Sequence, residues 1–196
     1  MFLVGCDFGK PPKKATQVTT VADDSDLPAV AHPEYVNWSQ FPEKAFVIRK
    51  RVVSNAQGKV VVTTKMWLDK KTSEKILVGS QVTVERPDEP AVENGDDVVS
   101  YPATYRLPKG MDQSRFNLPS AKAKETGEEV VKIGELELKT KIFEWEESNE
   151  TGPMTVKLWT CAEVPGKIVR QEMFTKSTQT KSSEEVIKLD LGNVAG

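Results

Sequence analysis

The chain has 196 residues, 38% of them hydrophobic, with 27 basic and 29 acidic side chains and a formal net charge of −2. This length suits one domain with a tail, and the balanced charge argues against a nucleic-acid-binding surface, which is usually clearly basic. No apolar run is long enough to span a bilayer, and one histidine and two cysteines are few for a protein-only zinc or redox site. We therefore expect no metal and no cofactor.

Near its start the chain resembles a bacterial lipobox, in the four residues Leu3-Val4-Gly5-Cys6. In a lipobox, apolar and small residues precede a cysteine that is lipidated and becomes the new N-terminus. The basic n-region and the full apolar h-region of about 7–15 residues are missing here. Either the match is accidental or the start codon is placed too far downstream. We favour the lipoprotein interpretation, with Cys6 as the lipidation site and residues 1–6 as the remnant of the signal.

Residues 7–33 predict a disordered tether. They combine Gly9, Pro11, Pro12 and three lysines with Thr, Asp and Ser, and show no apolar period. Such a stretch buries too little apolar surface to offset its ordering entropy. After a lipidated cysteine it would hold a domain off the membrane, and plain terminal disorder is the alternative. Asp23, Asp24 and Asp26 lack the glycine and glutamate of a calcium loop, so we expect a solvated acidic run.

A short helix is predicted where the β domain, residues 34–191, begins. Pro33 suits the first turn of a helix. Tyr35, Trp38 and Phe41 recur every three residues, so they share one helical or 3₁₀ face. We expect these aromatic side chains to pack against a sheet, and an aromatic ligand platform is the alternative.

Alternating apolar and polar residues predict strands on both sides of an irregular middle region. The predicted strands are Ala45–Val53, Lys59–Leu68, Glu74–Glu85, Glu128–Ile133, Glu135–Glu147, the two arms of the hairpin Met154–Phe174, and Glu184–Leu191. Gly79 is expected to mark a bulge or bend. A change of phase before Phe143 predicts a bulge or a strand buried on both faces.

The middle region, Arg86–Ala123, contains five prolines, which forbid a long interior strand. We expect a short edge strand within Asp97–Arg106 and one helical turn within Ser120–Thr126. The acidic run Asp88–Asp97 predicts a solvated surface loop, and metal binding there is the alternative.

The hairpin Met154–Phe174 is the predicted centre of the fold. Its corner, Val164-Pro165-Gly166-Lys167, suits a type II turn, in which the glycine takes the positive φ. Trp159 lies in the middle of its first strand and is expected to be buried. The resulting fold class is mainly β: a single curved antiparallel sheet or half-open barrel with one or two short helices, followed by a frayed C-terminus at 192–196.

The chain as a whole resembles uncharacterised envelope lipoproteins of bacteria. The resemblance lies in the lipobox, the tether, Trp38 and Phe41, the successive strands and the hairpin at Trp159. More broadly they resemble the LolA/LppX-like half-barrel, whose concave side holds lipid in some members. The resemblance implies a cell-envelope location, with the chain anchored to the membrane by lipid on Cys6 and facing the periplasm or the exterior. This chain lacks the long helices that close the half-barrel, so no ligand residues are carried over.

No catalytic set is apparent, and we expect no enzyme. His32 borders the tether, which leaves no histidine for a Ser-His or Cys-His pair, and Cys161 is expected to be a small buried thiol. We favour a non-catalytic envelope lipoprotein whose β domain binds or scaffolds a partner, either an envelope protein or a lipid. A lipid or lipoprotein carrier would need an open apolar pocket of about 300–1,000 Å³. A carboxylate-based hydrolase would need a clustered, buried acid pair.

Overall fold

The computed structural model describes residues 29–107, 119–149 and 152–192. In chain order the elements are β1 (Ala29–Ala31), α1 (Pro33–Trp38), β2 (Phe46–Asn55), β3 (Gly58–Lys71), β4 (Lys75–Glu85), β5 (Val92–Pro102), β6 (Thr104–Arg106), β7 (Lys124–Ile133), β8 (Leu136–Asn149), β9 (Gly152–Thr160), β10 (Ile168–Thr175) and β11 (Thr180–Asp190). Over these residues, no helix has the length and apolar character needed to cross a membrane.

Nine strands form one open antiparallel sheet in the order β5-β4-β3-β2-β11-β10-β9-β8-β7, and β1 pairs with β6 in a second, small sheet. The large sheet consists of two meanders, β2–β5 and β7–β11, which meet where β2 pairs with β11. Cα atoms of β7 and β11 come within 8 Å of each other although three strands separate them. The meander β7–β11 is therefore strongly curled. The predicted fold class is confirmed.

The two faces of the sheet can be followed through the strand register, because directly paired residues share a face. The register leads from Val47 across β11 and β10 to Leu158. The next residue, Trp159, therefore projects from the opposite face. Leu158 is fully buried and Trp159 is only 4% exposed, so β9 is covered on both sides. We refer to the two sides as the Val47 face and the Trp159 face.

On the Val47 face, the core of the meander β2–β5 is closed by α1 and the loop 161–167. Trp38, at the end of α1, is fully buried in the same cluster as Val47 and Leu68. The Arg49 Nη2 donates a hydrogen bond to the carbonyl oxygen of Pro165 at 2.9 Å, which ties the loop to β2. The predicted helix and the packing of its aromatic face against the sheet are confirmed.

Two expectations about chain boundaries are wrong. β1 lies within the predicted tether and pairs with β6, so the ordered domain includes residues that precede Glu34. The predicted helical turn within Ser120–Thr126 is reduced to one hydrogen-bonded turn, in which the N–H of Ala123 donates to the carbonyl oxygen of Ser120 at 2.9 Å, because β7 already begins at Lys124. Cys6, the tether residues 7–28 and the C-terminal residues 193–196 lie outside the described part of the chain.

The middle region is more regular than expected. β5 is an eleven-residue strand in which every side chain except that of Tyr101 is exposed. It is an edge strand, paired with β4 alone, and the prolines flank it or end it at Pro102, where an edge strand tolerates them. The second half of the predicted acidic loop is therefore strand.

Glycines explain two local features of the sheet. Gly166 has φ +76°, the positive value that the predicted turn requires. Gly79 pairs directly with Trp67, and a Cβ at that position would lie 2.2 Å from Trp67 Cε2. Gly79 therefore leaves space for the Trp67 indole. Register shifts lie on both sides of it, one opposite Val78 in the pairing with β3 and one after Ser80 in the pairing with β5. The predicted change of phase in β8 corresponds to a bulge in its neighbour β7, next to Gly127.

Candidate functional site

The curled meander encloses an open groove of about 910 Å³. Two parallel rows of residues on the Trp159 face, each crossing four neighbouring strands from β8 to β11, supply half of the residues that line it. The first row is Glu144, Lys157, Glu172 and Ser183, and the second is Glu146, Thr155, Phe174 and Lys181. Lys122 and Lys124 line it from the β7 side, and Val52 and Ser54 from β2. We refer to this site as the groove.

Trp159 lies deeper on the same face, two residues along β9 from Lys157. Its indole N–H donates a hydrogen bond to Glu129 Oε2 at 2.7 Å. Because Glu129 belongs to β7, two strands away, this contact spans β8 and holds the edge strand in the curl that forms one wall of the groove. The predicted burial of Trp159 is confirmed, and its polar contact with β7 is an additional finding.

Salt bridges neutralise two of the three carboxylates that line the groove. Lys157 Nζ lies 2.8 Å from Glu144 Oε1, and Arg170 forms an ion pair with Glu172. The two cations also pack on the Trp159 ring, with Arg170 Cζ at 4.8 Å and Lys157 Nζ at 5.2 Å from its centroid. These side chains are partly exposed, so the ion pairs add little to the free energy of unfolding. Their main effect is to fix the positions of the charged side chains in the groove.

Uncompensated positive charge remains around the groove. Lys122, Lys124 and Lys181 form no ion pair with any residue that the structure describes. Together the lining residues and Arg170 carry five positive and three negative side chains. Phe174 and Val52 add apolar surface. The groove can therefore contact polar and apolar parts of one ligand at the same time.

The described ranges show no group of three or more His, Cys, Asp or Glu side chains arranged to hold a metal ion. Their buried polar residues are Asn37, Thr140, Thr175 and Ser182, and none of these is a carboxylate. Cys161 is a buried free thiol, as predicted, and burial raises its pKa.

His32 lies far along the chain from the groove residues, at the start of α1. Its Nδ1 accepts a hydrogen bond from the backbone N–H of Glu34 at 3.2 Å, and its ring packs on Tyr101 and Tyr105 at 5.2 and 5.1 Å between centroids. Burial lowers the pKa of the imidazole, and the negative charge of Glu34 partly opposes that shift. Its role in this position is to cap the helix.

No protein-family model matches the chain, and no curated protein matches it. Among solved structures, the chain is similar to a predicted lipoprotein from Parabacteroides distasonis, with 12% identity, a TM-score of 0.43, and coverage of 76% of this chain and 96% of the other. A predicted exported protein with a YmcC-like fold from Bacteroides fragilis has 11% identity, a TM-score of 0.44, and coverage of 76% and 97%.

A third similar structure is a predicted outer-membrane lipoprotein-sorting protein domain from Vibrio parahaemolyticus, with 9% identity, a TM-score of 0.27, and coverage of 79% and 87%. These are the kinds of protein that the sequence resembles. The identities and TM-scores are low, so no ligand or role is transferred from these proteins to this chain.

Proposed function

We propose that the β domain is a non-catalytic binding module of a lipid-anchored envelope protein, and that the groove is its ligand site. The groove carries this proposal. Its volume of about 910 Å³ falls within the range of about 300–1,000 Å³ that is typical of small-molecule sites. It is formed by strands of one continuous sheet, a rigid support that suits recognition.

The chemistry of the lining favours an amphipathic ligand over a wholly apolar one. Burying unpaired lysines such as Lys124 and Lys181 under hydrocarbon alone would leave charges without partners, at a high desolvation cost. A ligand with a polar group and an apolar body would satisfy the lysines and still cover Phe174. A carrier of such amphiphiles is the second candidate, because the groove has the volume that a carrier needs.

Attachment to the membrane is supported by the lipobox resemblance at Cys6. One acyl chain gives only marginal binding, whereas several anchor a protein stably. A domain held in this way would face the periplasm or the exterior, with its groove within reach of amphiphiles from the same membrane.

The absence of catalysis is part of the proposal. Two observations support it: within the described ranges no carboxylate is fully buried, and the single histidine of the chain, His32, packs on tyrosine rings away from the groove. A raised carboxylate pKa or a histidine base would be expected at a hydrolytic site.

The proposal can be tested with N-phenyl-1-naphthylamine, an uncharged probe whose fluorescence rises in apolar surroundings. Ser183 lines the groove, so Ser183→Trp should fill it and abolish saturable binding of the probe to the full chain. The matched control is Ser100→Trp, an exposed position on β5 at the opposite edge of the sheet. Wild type and the control should bind equally. Absence of saturable binding to wild type, or equal binding to Ser183→Trp, would contradict the proposed site.

A further inference from the structure

We propose that the groove selects amphiphiles with an anionic head group, a carboxylate or a phosphate, and that Lys122, Lys124 and Lys181 bind that group. This inference rests on the proposed function, because it assigns the ligand chemistry of the same groove. The observation behind it is that some charges around the groove have partners and others do not.

Most of the carboxylates that line the groove already form ion pairs. Glu144 pairs with Lys157 at 2.8 Å, and Glu172 pairs with Arg170. Only Glu146, of the three lining carboxylates, has no cationic partner among the described residues. Three exposed lysines are therefore opposed by one carboxylate, and a bound anionic group would complement their positive charge.

The curl of the sheet brings these lysines to one site. Lys124 pairs with Glu144 at the β7 side, and Lys181 pairs with Ser54 where β11 meets β2. In a flat sheet four strand spacings would hold them roughly 19 Å apart. Because β7 approaches β11 within 8 Å, both lysines line the same groove. Lysine ammonium groups on flexible stems can then converge on one anion.

An apolar surface lies beside this cationic site. Phe174 stands in the second row between Thr155 and Lys181, and Val52 lies at the β2 side of the groove. An alkyl chain lying along Phe174 would leave its head group next to Lys181. This arrangement of cation and aromatic ring favours an amphiphile over a free inorganic anion.

The test is displacement of N-phenyl-1-naphthylamine from the full chain by dodecyl compounds below their micelle concentrations. Dodecyl phosphate and laurate should displace the probe at about tenfold lower concentration than dodecyl maltoside, and dodecyltrimethylammonium should be the weakest. Inorganic phosphate should not compete. If it competes as well as dodecyl phosphate, the site binds a free anion and the assignment of an amphiphile is wrong.

Lysine substitutions test whether these three side chains cause the preference for anionic head groups. The triple variant Lys122→Gln, Lys124→Gln, Lys181→Gln should lose about tenfold in affinity for dodecyl phosphate and keep its affinity for dodecyl maltoside. The matched control replaces three lysines outside the groove that change net charge equally: Lys70→Gln, Lys132→Gln and Lys139→Gln. Glu146→Gln should strengthen binding of dodecyl phosphate.

The outcomes separate this inference from the proposed function. If the probe does not bind saturably, the groove is not a ligand site and both proposals fail. If the probe binds saturably but no dodecyl compound displaces it, the assignment of an anionic amphiphile is wrong and the groove remains a ligand site. If all four dodecyl compounds bind equally well, or the two triple variants behave alike, the groove still binds ligands but the assignment of an anionic head group is wrong.

Discussion

Replacing Trp159 by alanine should unfold most of the β domain at moderate denaturant concentrations. The substitution removes an indole that is only 4% exposed and its hydrogen bond to Glu129 at 2.7 Å. It also removes the ring on which Arg170 and Lys157 pack. A buried Trp→Ala change typically costs about 3–5 kcal/mol through lost transfer energy and the cavity that remains. A domain stability of roughly 5–15 kcal/mol would be reduced by a large share.

A urea melt of the purified chain measures this loss. With an m-value of about 2 kcal/mol/M, the midpoint should fall by about 2 M. Trp159→Phe keeps much of the packing and loses the hydrogen bond, so it should cost far less, about 1 kcal/mol. Trp67→Ala is the comparison for an indole that is only partly buried and should also cost less. If Trp159→Ala keeps the wild-type midpoint but no longer binds the naphthylamine probe, Trp159 belongs to the ligand site and not to the core.

Three further predictions concern single positions. Gly166→Val should lower the urea midpoint, because φ is +76° and a Cβ would lie 2.5 Å from Arg49 Nη2. Gly95→Val, where a Cβ would meet open space, is the control and should leave the midpoint unchanged. Equal effects of the two substitutions would refute the argument from φ. Because burial holds the pKa of His32 below its usual 6.5, the unfolded chain binds its proton more readily, and stability should be full above pH 6.5 and fall as the pH drops below it. His32→Asn should lessen that fall between pH 7 and pH 5, and an unchanged fall would mean that other groups cause it. Cys6→Ser, expressed behind a functional signal sequence, should release the protein from membranes, and an unmodified Cys6 in a wholly soluble wild type would rule out the lipoprotein interpretation.

Much of the fold could be predicted from local patterns. Strands that bury one face show period-2 alternation, and Pro165-Gly166 marks the turn between β9 and β10. Only part of β5 was predicted as strand, because its side chains are almost all exposed. The sequence there therefore shows no alternation of apolar and polar residues. The bounds of an edge strand of this kind depend on its pairing with β4, which local sequence does not reveal.

The groove could not be predicted, because it depends on strand order and curl. Glu144, Lys157 and Glu172 are far apart in sequence and form one row only when β8, β9 and β10 are neighbours in register. In isolation, alternating Lys and Glu on these strands indicate a solvated face. The indole of Trp159 was expected in the core, but its contact with Glu129 across β8 requires the structure.

The most direct test of the central claim, that the groove is the ligand site, is photo-crosslinking of the full chain with a diazirine-bearing long-chain carboxylate, mapped by mass spectrometry. We expect labels on peptides from β9, β10 and the start of β11, around Thr155, Phe174 and Ser183, and loss of these labels in Ser183→Trp. Labels confined to β3–β5, or labels that persist unchanged in Ser183→Trp, would contradict it.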